Sequence, residues 1–339
     1  MDLKKRLESL IKLGDYIKSG LRNDEFKGLF EEAYIHNNWF TEEFCRLSFS
    51  SAANYYLNKE KLDKWVSSYE LRDFPEKKKI GLILAGNIPL VGIHDMLSVY
   101  VSGNCSQIKV SSKDRVLTKF LLEKLLEIET ESKSYFQFDD QLKGMDALIA
   151  TGSNNSARYF EYYFSHCPHV IRRNRNSIAV LNGKESEKDI KLLEDDVFNF
   201  FGLGCRSVSK IFIPADYHLN ILLDVFNKYH YFIHHNKYYN NYIYHKSIFT
   251  LNSDIHLDNG YLLLKESESI HSPLAVLFFE RYDQLGDVEE SIEVNKDQVQ
   301  AIVSNEKFSL PTLAFGNSQF PELWDYADDV DIMSFINNI

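Results

Sequence analysis

The chain has 339 residues, 44% of them hydrophobic, with a formal net charge of −11 at pH 7 and a pI near 5.5. This acidic balance argues against the basic face that binds nucleic acid by displacing counterions, and the length suits one large core or two medium ones, with two lobes the default expectation. The longest apolar stretch, "IGLILAGNIPLVGI", is shorter than the ~20 residues of a membrane span and carries Asn87 and Pro89. The opening "MDLKKRLESLIKLGDY" mixes charge with apolar residues at helical spacing, unlike a secretory leader, so a cytoplasmic protein without a membrane span is expected.

In chain order, residues 1–72 read as helices, with Leu3, Leu7, Leu10, Ile11 and Ile17 on one stripe and a second run near 41–60. From residue 78 the pattern alternates. "KKIGLILAG" reads as a buried strand, "GIHDMLSVYVSG" as a helix, "SQIKVSS" as a strand and "DRVLTKFLLEKLLEIE" as an amphipathic helix. "DALIATG" is then a third strand entering the helix "NNSARYFEYYF". Such alternation predicts an α/β fold with a parallel sheet, whose ligands bind beyond the carboxyl ends of the strands, here at "AGN", "VSS" and "TGS". A further strand, "SIAVLNG", leads to the helix "ESEKDIKLLEDDVFNFF", which ends at Gly202 and Gly204. Beyond lie the strand "KIFIP", the helix "DYHLNILLDVFNKY" and a less regular region ending in "LAVLFFERY". The tail from 301 is apolar enough to dock.

Of the four cysteines, Cys45, Cys105 and Cys167 read as structural, and the spacing suggests neither a zinc site nor a disulfide framework. Cys205, in "GLGCRS", combines glycine neighbours with cations at Arg206 and Lys210. It reads either as a small packed hydrophobe or as a reactive thiol. Asn87, at a strand exit, either caps the next helix or donates to a developing oxyanion together with the nucleophile's own N–H. Lys109, Ser111, Ser112 and Lys113 form either a plain polar turn or a seat for an adenosine ribose or its 2′-phosphate. Gly152 and Ser153 open a helix whose amides can face a phosphate. No G-x-G-x-x-G follows any strand. His230, His234 and His235 lack an evident further ligand, so no metal is expected.

The order of these segments resembles the aldehyde dehydrogenase superfamily, and within it the acyl-CoA reductases of the LuxC type, over roughly residues 75–335. "GNIPL" is similar to the family's Asn-Phe-Pro-Leu turn, which puts Asn87 in the oxyanion hole. "SGNCSQIKVSS" is similar to its cofactor-ribose strand, with Lys109 as the ribose lysine. "TGSNNS" resembles its Gly-Ser turn at the nicotinamide side, matching Gly152 and Ser153. "GLGC" resembles "G-Q-x-C", which makes Cys205 the nucleophile. The water-activating glutamate of the hydrolytic members has no counterpart in "IRRNRNSIAVLNG", where Arg172, Arg173 and Arg175 stand instead as candidate phosphate attractors. In "ESIHSPLAV", Pro273 matches "E-I-F-G-P" while Ser269 takes the place of the ribose glutamate, with Glu268 one residue away.

The resemblance implies an aldehyde dehydrogenase-like α/β fold. Its parts are an N-terminal helical segment, 1–72, packed on a Rossmann-type nucleotide-binding domain, 73–200; a catalytic domain, 201–300; and a segment, 301–339, docking back. It also implies NADPH-dependent reduction of a long-chain acyl thioester, acyl-CoA or acyl-protein, to the aldehyde through acyl-Cys205. The preference for NADPH rests on Lys109, Ser111, Ser112 and Lys113. A cysteine-dependent acyltransferase and a non-catalytic nucleotide- or acyl-CoA-binding protein of the same fold stay open, as does a homo-oligomer.

Overall fold

A computed structural model of the chain describes residues 1–71 and 76–339. The expected boundary at 72/73 lies outside the described residues. The chain divides into two compact units, Met1–Asn174 with Pro321–Ile339, and Arg175–Phe320. No helix among the described residues is long and apolar enough to cross a membrane.

The first unit begins with four helices, α1 (Leu3–Arg22), α2 (Lys27–His36), α3 (Glu42–Ser51) and α4 (Lys59–Val66). Side-chain caps start α1, α3 and α4, where Asp2, Thr41 and Asn58 accept the N–H of Lys5, Phe44 and Lys61. On α1 the fully buried face is Leu10, Leu13 and Ile17, while Leu3, Leu7 and Ile11 flank it half-buried. Then come β1 (Lys79–Ile83), α5 (Ile93–Val101), β2 (Cys105–Lys109), α6 (Arg115–Ile128), β3 (Phe136–Phe138), β4 (Ala147–Thr151), α7 (Asn154–Tyr163) and β5 (His169–Arg172). The sheet is parallel throughout, in the order β3-β2-β1-β4-β5. Its strand order reverses between β1 and β4, the place where open α/β sheets leave a crevice at their carboxyl edge.

The second unit holds β6 (Asn176–Val180), α8 (Glu187–Phe198), β7 (Val208–Pro214), α9 (Asn220–Val225), α10 (Asn236–Leu251), β8 (Leu257–Asp258), β9 (Leu263–Glu266), β10 (Val276–Tyr282), α11 (Leu285–Val294) and β11 (Val299–Val303). Its sheet runs β11-β6-β7-β10-β9-β8, parallel except for the β8–β9 pair. A capping box at Ser186 and Asp189 starts α8. Because β6 pairs with β7, residues 176–200 lie in the same unit as Cys205, whereas the sequence reading places the division at 200/201. The closing helix α12 (Ile332–Asn337) packs Ile332, Met333 and Ile336 into the core of the first unit.

Candidate active site

The residues expected to do chemistry fall into two sets, one in each unit. In the first unit Asn87 lies half-buried in the turn after β1. The following helix starts at Ile93 with Gly92 at its N-cap and no side-chain cap, so Asn87 does not cap it. Two contacts fix this turn against the one after β2. Gly86 backs onto Ser111, where an added Cβ would lie 2.8 Å from the Ser111 Cβ, so only glycine permits the approach. Leu90, at φ +59°, donates its N–H to Asp114 Oδ2 at 2.8 Å, and Thr118 Oγ1 donates to the same oxygen at 3.3 Å. Asp114 is buried, and burial pushes its carboxyl well above the ordinary range despite these donors. The sequence reading passed over Asp114; its signal is an Asp standing immediately before an amphipathic helix.

Lys109 ends β2, level with Ile83 of β1, and is exposed, as are Ser112 and Lys113 in the turn beyond. At the end of β4, Gly152 donates its N–H to the Arg172 carbonyl at 3.2 Å, and Ser153 Oγ caps α7 by accepting the Ser156 N–H at 3.2 Å. Asn87, Gly152 and Ser153 thus follow the two strands flanking the switch point, with the Lys109 turn on the neighbouring strand.

Of the three arginines, Arg172 departs from expectation. Arg172 on β5 donates to Asp95 of α5 at 2.8 Å in an ion pair whose side chains are only 9% and 5% exposed, which withdraws it from any phosphate. Arg173 pairs with Glu161, and Arg175 donates to the carbonyls of Lys296 and Val299.

In the second unit the approach to Cys205 is a run of left-handed backbone. Phe200 (φ 56°), Phe201 (φ 58°) and Gly202 (φ 75°) follow the end of α8, and two aromatic residues in that region are unusual. The Phe201 ring explains how the strain is held. Phe201 packs 4.4 Å from Phe232 and 4.3 Å from His235 between ring centroids, within a buried cluster that includes Phe198, Tyr229 and Tyr238. The Tyr- and His-rich stretch is therefore packing for this turn, and His235 caps α10 by accepting the Tyr238 N–H.

Cys205 is half-buried and in no disulfide. Its turn is closed on both sides: Ser207 N–H donates to the Gly204 carbonyl at 3.0 Å, and Gly204 N–H donates to Ser207 Oγ at 3.2 Å. Ser177 Oγ donates to the Cys205 carbonyl at 3.2 Å, and Gln319 Nε2 donates to Ser207 Oγ at 3.0 Å. Burial pushes the thiols of Cys45, Cys105 and Cys167 upward.

Lys210, near Cys205 in sequence, is no activating cation: its side chain is fully buried, paired with Glu280 of β10, and donates to the Glu268 carbonyl at 2.7 Å. Ser209 of β7 also holds that loop, donating to the Ile270 carbonyl at 2.8 Å. Glu268 itself is exposed, and its carboxylate makes no hydrogen bond or ion pair among the described residues. Ser269 is exposed too and donates to the His271 carbonyl.

A profile of the family described as acyl-CoA reductase (LuxC) matches residues 58–222, just under half of the chain. By this match the chain is similar to the LuxC acyl-CoA reductases. The matched stretch contains Asn87, Lys109, Gly152, Ser153 and Cys205. Among curated proteins, the long-chain acyl-protein thioester reductase 2 of Photobacterium leiognathi is 23% identical over 213 residues, which cover 57% of this chain and 44% of that protein. The chain thus spans under half the length of that curated relative. Among solved structures, the aldehyde dehydrogenase KauB from Pseudomonas aeruginosa superposes with a TM-score of 0.66 at 14% identity, covering 91% of this chain and 73% of that one. The propionaldehyde dehydrogenase of Rhodopseudomonas palustris with bound propionyl-CoA gives 0.62 at 11%, covering 91% and 77%. The NAD+ complex of an aldehyde dehydrogenase from Bacillus cereus gives 0.64 at 12%, covering 91% and 73%. The fold is that of the aldehyde dehydrogenases.

Proposed function

We propose that the chain reduces a long-chain fatty acyl thioester to the aldehyde with NADPH, through an acyl-Cys205 intermediate. The observation that carries this reading is the LuxC match, because it spans the turn after β1, the ends of β2 and β4, and the Cys205 turn. In this reading the Cys205 thiolate attacks the thioester carbonyl and the donor thiol leaves. Asn87 and the Cys205 N–H have the role of oxyanion donors.

The residues present suit a nicotinamide dinucleotide. Lys109, Ser112 and Lys113 offer exposed cationic and hydroxyl groups at the carboxyl edge of β2, and glycine at 86 lets the backbone draw close to Ser111. Lys109, Ser111 and Ser112 have the role of holding the adenosine ribose and its 2′-phosphate, Gly152 and Ser153 that of flanking the nicotinamide half, and exposed Glu268 that of holding the nicotinamide ribose. The bound cofactor supplies the hydride that takes the acyl-cysteine to the aldehyde level. Nothing takes the place of the hydrolytic glutamate in 171–183, which suits exchange and reduction over acid formation.

The test is to mix the purified protein with a long-chain acyl-CoA and NADPH and follow nicotinamide absorbance, with Cys205→Ala alongside. Acyl-dependent oxidation that vanishes in the variant is expected. A labelled acyl group trapped on Cys205 without any oxidation would overturn the reductase in favour of acyl transfer. Faster turnover with NADH at equal concentration would overturn the cofactor preference.

A further inference from the structure

We propose that Gln319 is a positioning residue for the Cys205 turn, acting through the Ser207 hydroxyl. The proposal rests on the role given to Cys205 above and lies within the second unit. Gln319 is nearly buried and its amide donates to Ser207 Oγ at 3.0 Å, while that oxygen also accepts the Gly204 N–H at 3.2 Å. The hydroxyl thereby turns the Gly204 amide inward, and the Ser207 N–H closes the turn on the Gly204 carbonyl at 3.0 Å.

Gln319 is itself fixed by α8, the helix that leads into the same turn. Asp196 of α8 accepts the N–H of Gly316 at 2.6 Å and of Ser318 at 2.9 Å. Gly316, at φ +83°, lies so close to α8 that a Cβ there would approach Leu192 Cδ2 to 2.9 Å. One helix thus sets both the entry to the cysteine turn and the segment that grips it from the other side.

The chemical consequence follows from what acylation requires. A thiolate attacking a thioester builds an oxyanion, and a backbone N–H stabilises it only if the peptide plane is already aimed. Alkylation by iodoacetamide builds no oxyanion, so it reports access to the thiol but not the aim of the Cys205 peptide. A loosened turn is therefore expected to slow acylation and spare alkylation.

The experiment is a double-mutant cycle on Gln319→Met, which keeps the volume and removes the donor, and Ser207→Ala. Its first readout needs no substrate: amide hydrogen exchange in a peptide covering 200–210. Each variant is expected to speed exchange there about tenfold, and the double variant to go no further than Ser207→Ala, as for groups acting in series. The second readout is single-turnover acylation of Cys205 by a long-chain acyl-CoA. The expected result is about tenfold slower acylation at unchanged acyl-CoA affinity, with iodoacetamide alkylation within twofold of the parent. Unchanged exchange in Gln319→Met overturns the positioning role, and additive effects overturn the route through Ser207. Equal losses in acylation and alkylation reduce Gln319 to general structural support and overturn it as well. If the parent is never acylated, the acyl-reductase reading fails, and the exchange data alone decide the role of Gln319.

Discussion

Burial holds the Asp196 carboxyl at about 6 against an ordinary 3.8, while the Gly316 and Ser318 amides pull it back down. Between those values the folded chain keeps a proton that the unfolded chain has released. The contribution is therefore complete below pH 3.8 and is lost as pH rises through about 6. A shift of this size is worth about 3 kcal/mol. Urea unfolding between pH 4 and 8 should show the parent losing about 2 kcal/mol more than Asp196→Asn over that range, since part of the effect is already gone at pH 4, and parallel curves would refute the assignment. Asn87 is a residue of the other kind, proposed above to act only during reaction. If it donates to the oxyanion, Asn87→Ala lowers kcat by roughly 100- to 1,000-fold with little change in acyl-CoA KM. A raised KM at constant kcat would make it a ground-state binder instead. Asn87 and Cys205 drew notice in the sequence because each stands beside glycine at the end of a regular element. Ser207 and Gln319 did not, because their hydrogen bond joins positions 112 residues apart and leaves no local pattern.

The link from α8 to β7 does with strained backbone what a longer loop does with length. Three consecutive left-handed residues reverse the chain within a few positions, and the glycine among them is the one without a ring to anchor it. Gly202→Ala must put a Cβ in that conformation, 3.3 Å from the Val197 carbonyl, and is expected to cost about 1–2 kcal/mol in urea unfolding. A neutral effect would mean that the turn relaxes without loss. Elements with one strong periodicity were legible in advance. β1 and β4 are short apolar runs buried on both faces, and α6 carries a clear stripe in Leu117, Leu121, Leu122 and Leu125. Elements that escaped the reading lack such a signal. β3 and β5, "FQF" and "HVIR", are edge strands with exposed positions, and α10 spreads its tyrosines and asparagines round every face while burying only Tyr238, Tyr242 and Phe249. Tertiary pairing, which no short window contains, decides these elements.

At the scale of the whole chain, the two units divide between Asn174 and Arg175, and no Pro- or Gly-rich linker marks the place. The chain passes from β5, an edge of one sheet, to β6 of the next within four residues, Arg172 to Asn176, which is why composition gave no warning. The tail then returns to the first unit, where its attachment is specific as well as apolar. Trp65 Nε1 donates to Tyr326 Oη at 2.7 Å, and Tyr69 Oη lies 2.7 Å from the same oxygen. The Leu323 carbonyl lies 2.9 Å from His94 Nε2. Leu323, Ile332, Met333 and Ile336 are all fully or nearly fully buried, each worth about 1.5–3 kcal/mol on burial. Deleting 321–339 is thus expected to remove more than a marginally stable core can lose. Tyr326→Phe is the milder probe, leaving the buried Trp65 N–H without its acceptor at a cost of about 1–3 kcal/mol. In Tyr326→Phe hydrogen exchange should quicken first in α4 and α5, which carry Trp65 and His94. Faster exchange confined to 321–339 would show that the tail rests on the first unit without holding it together.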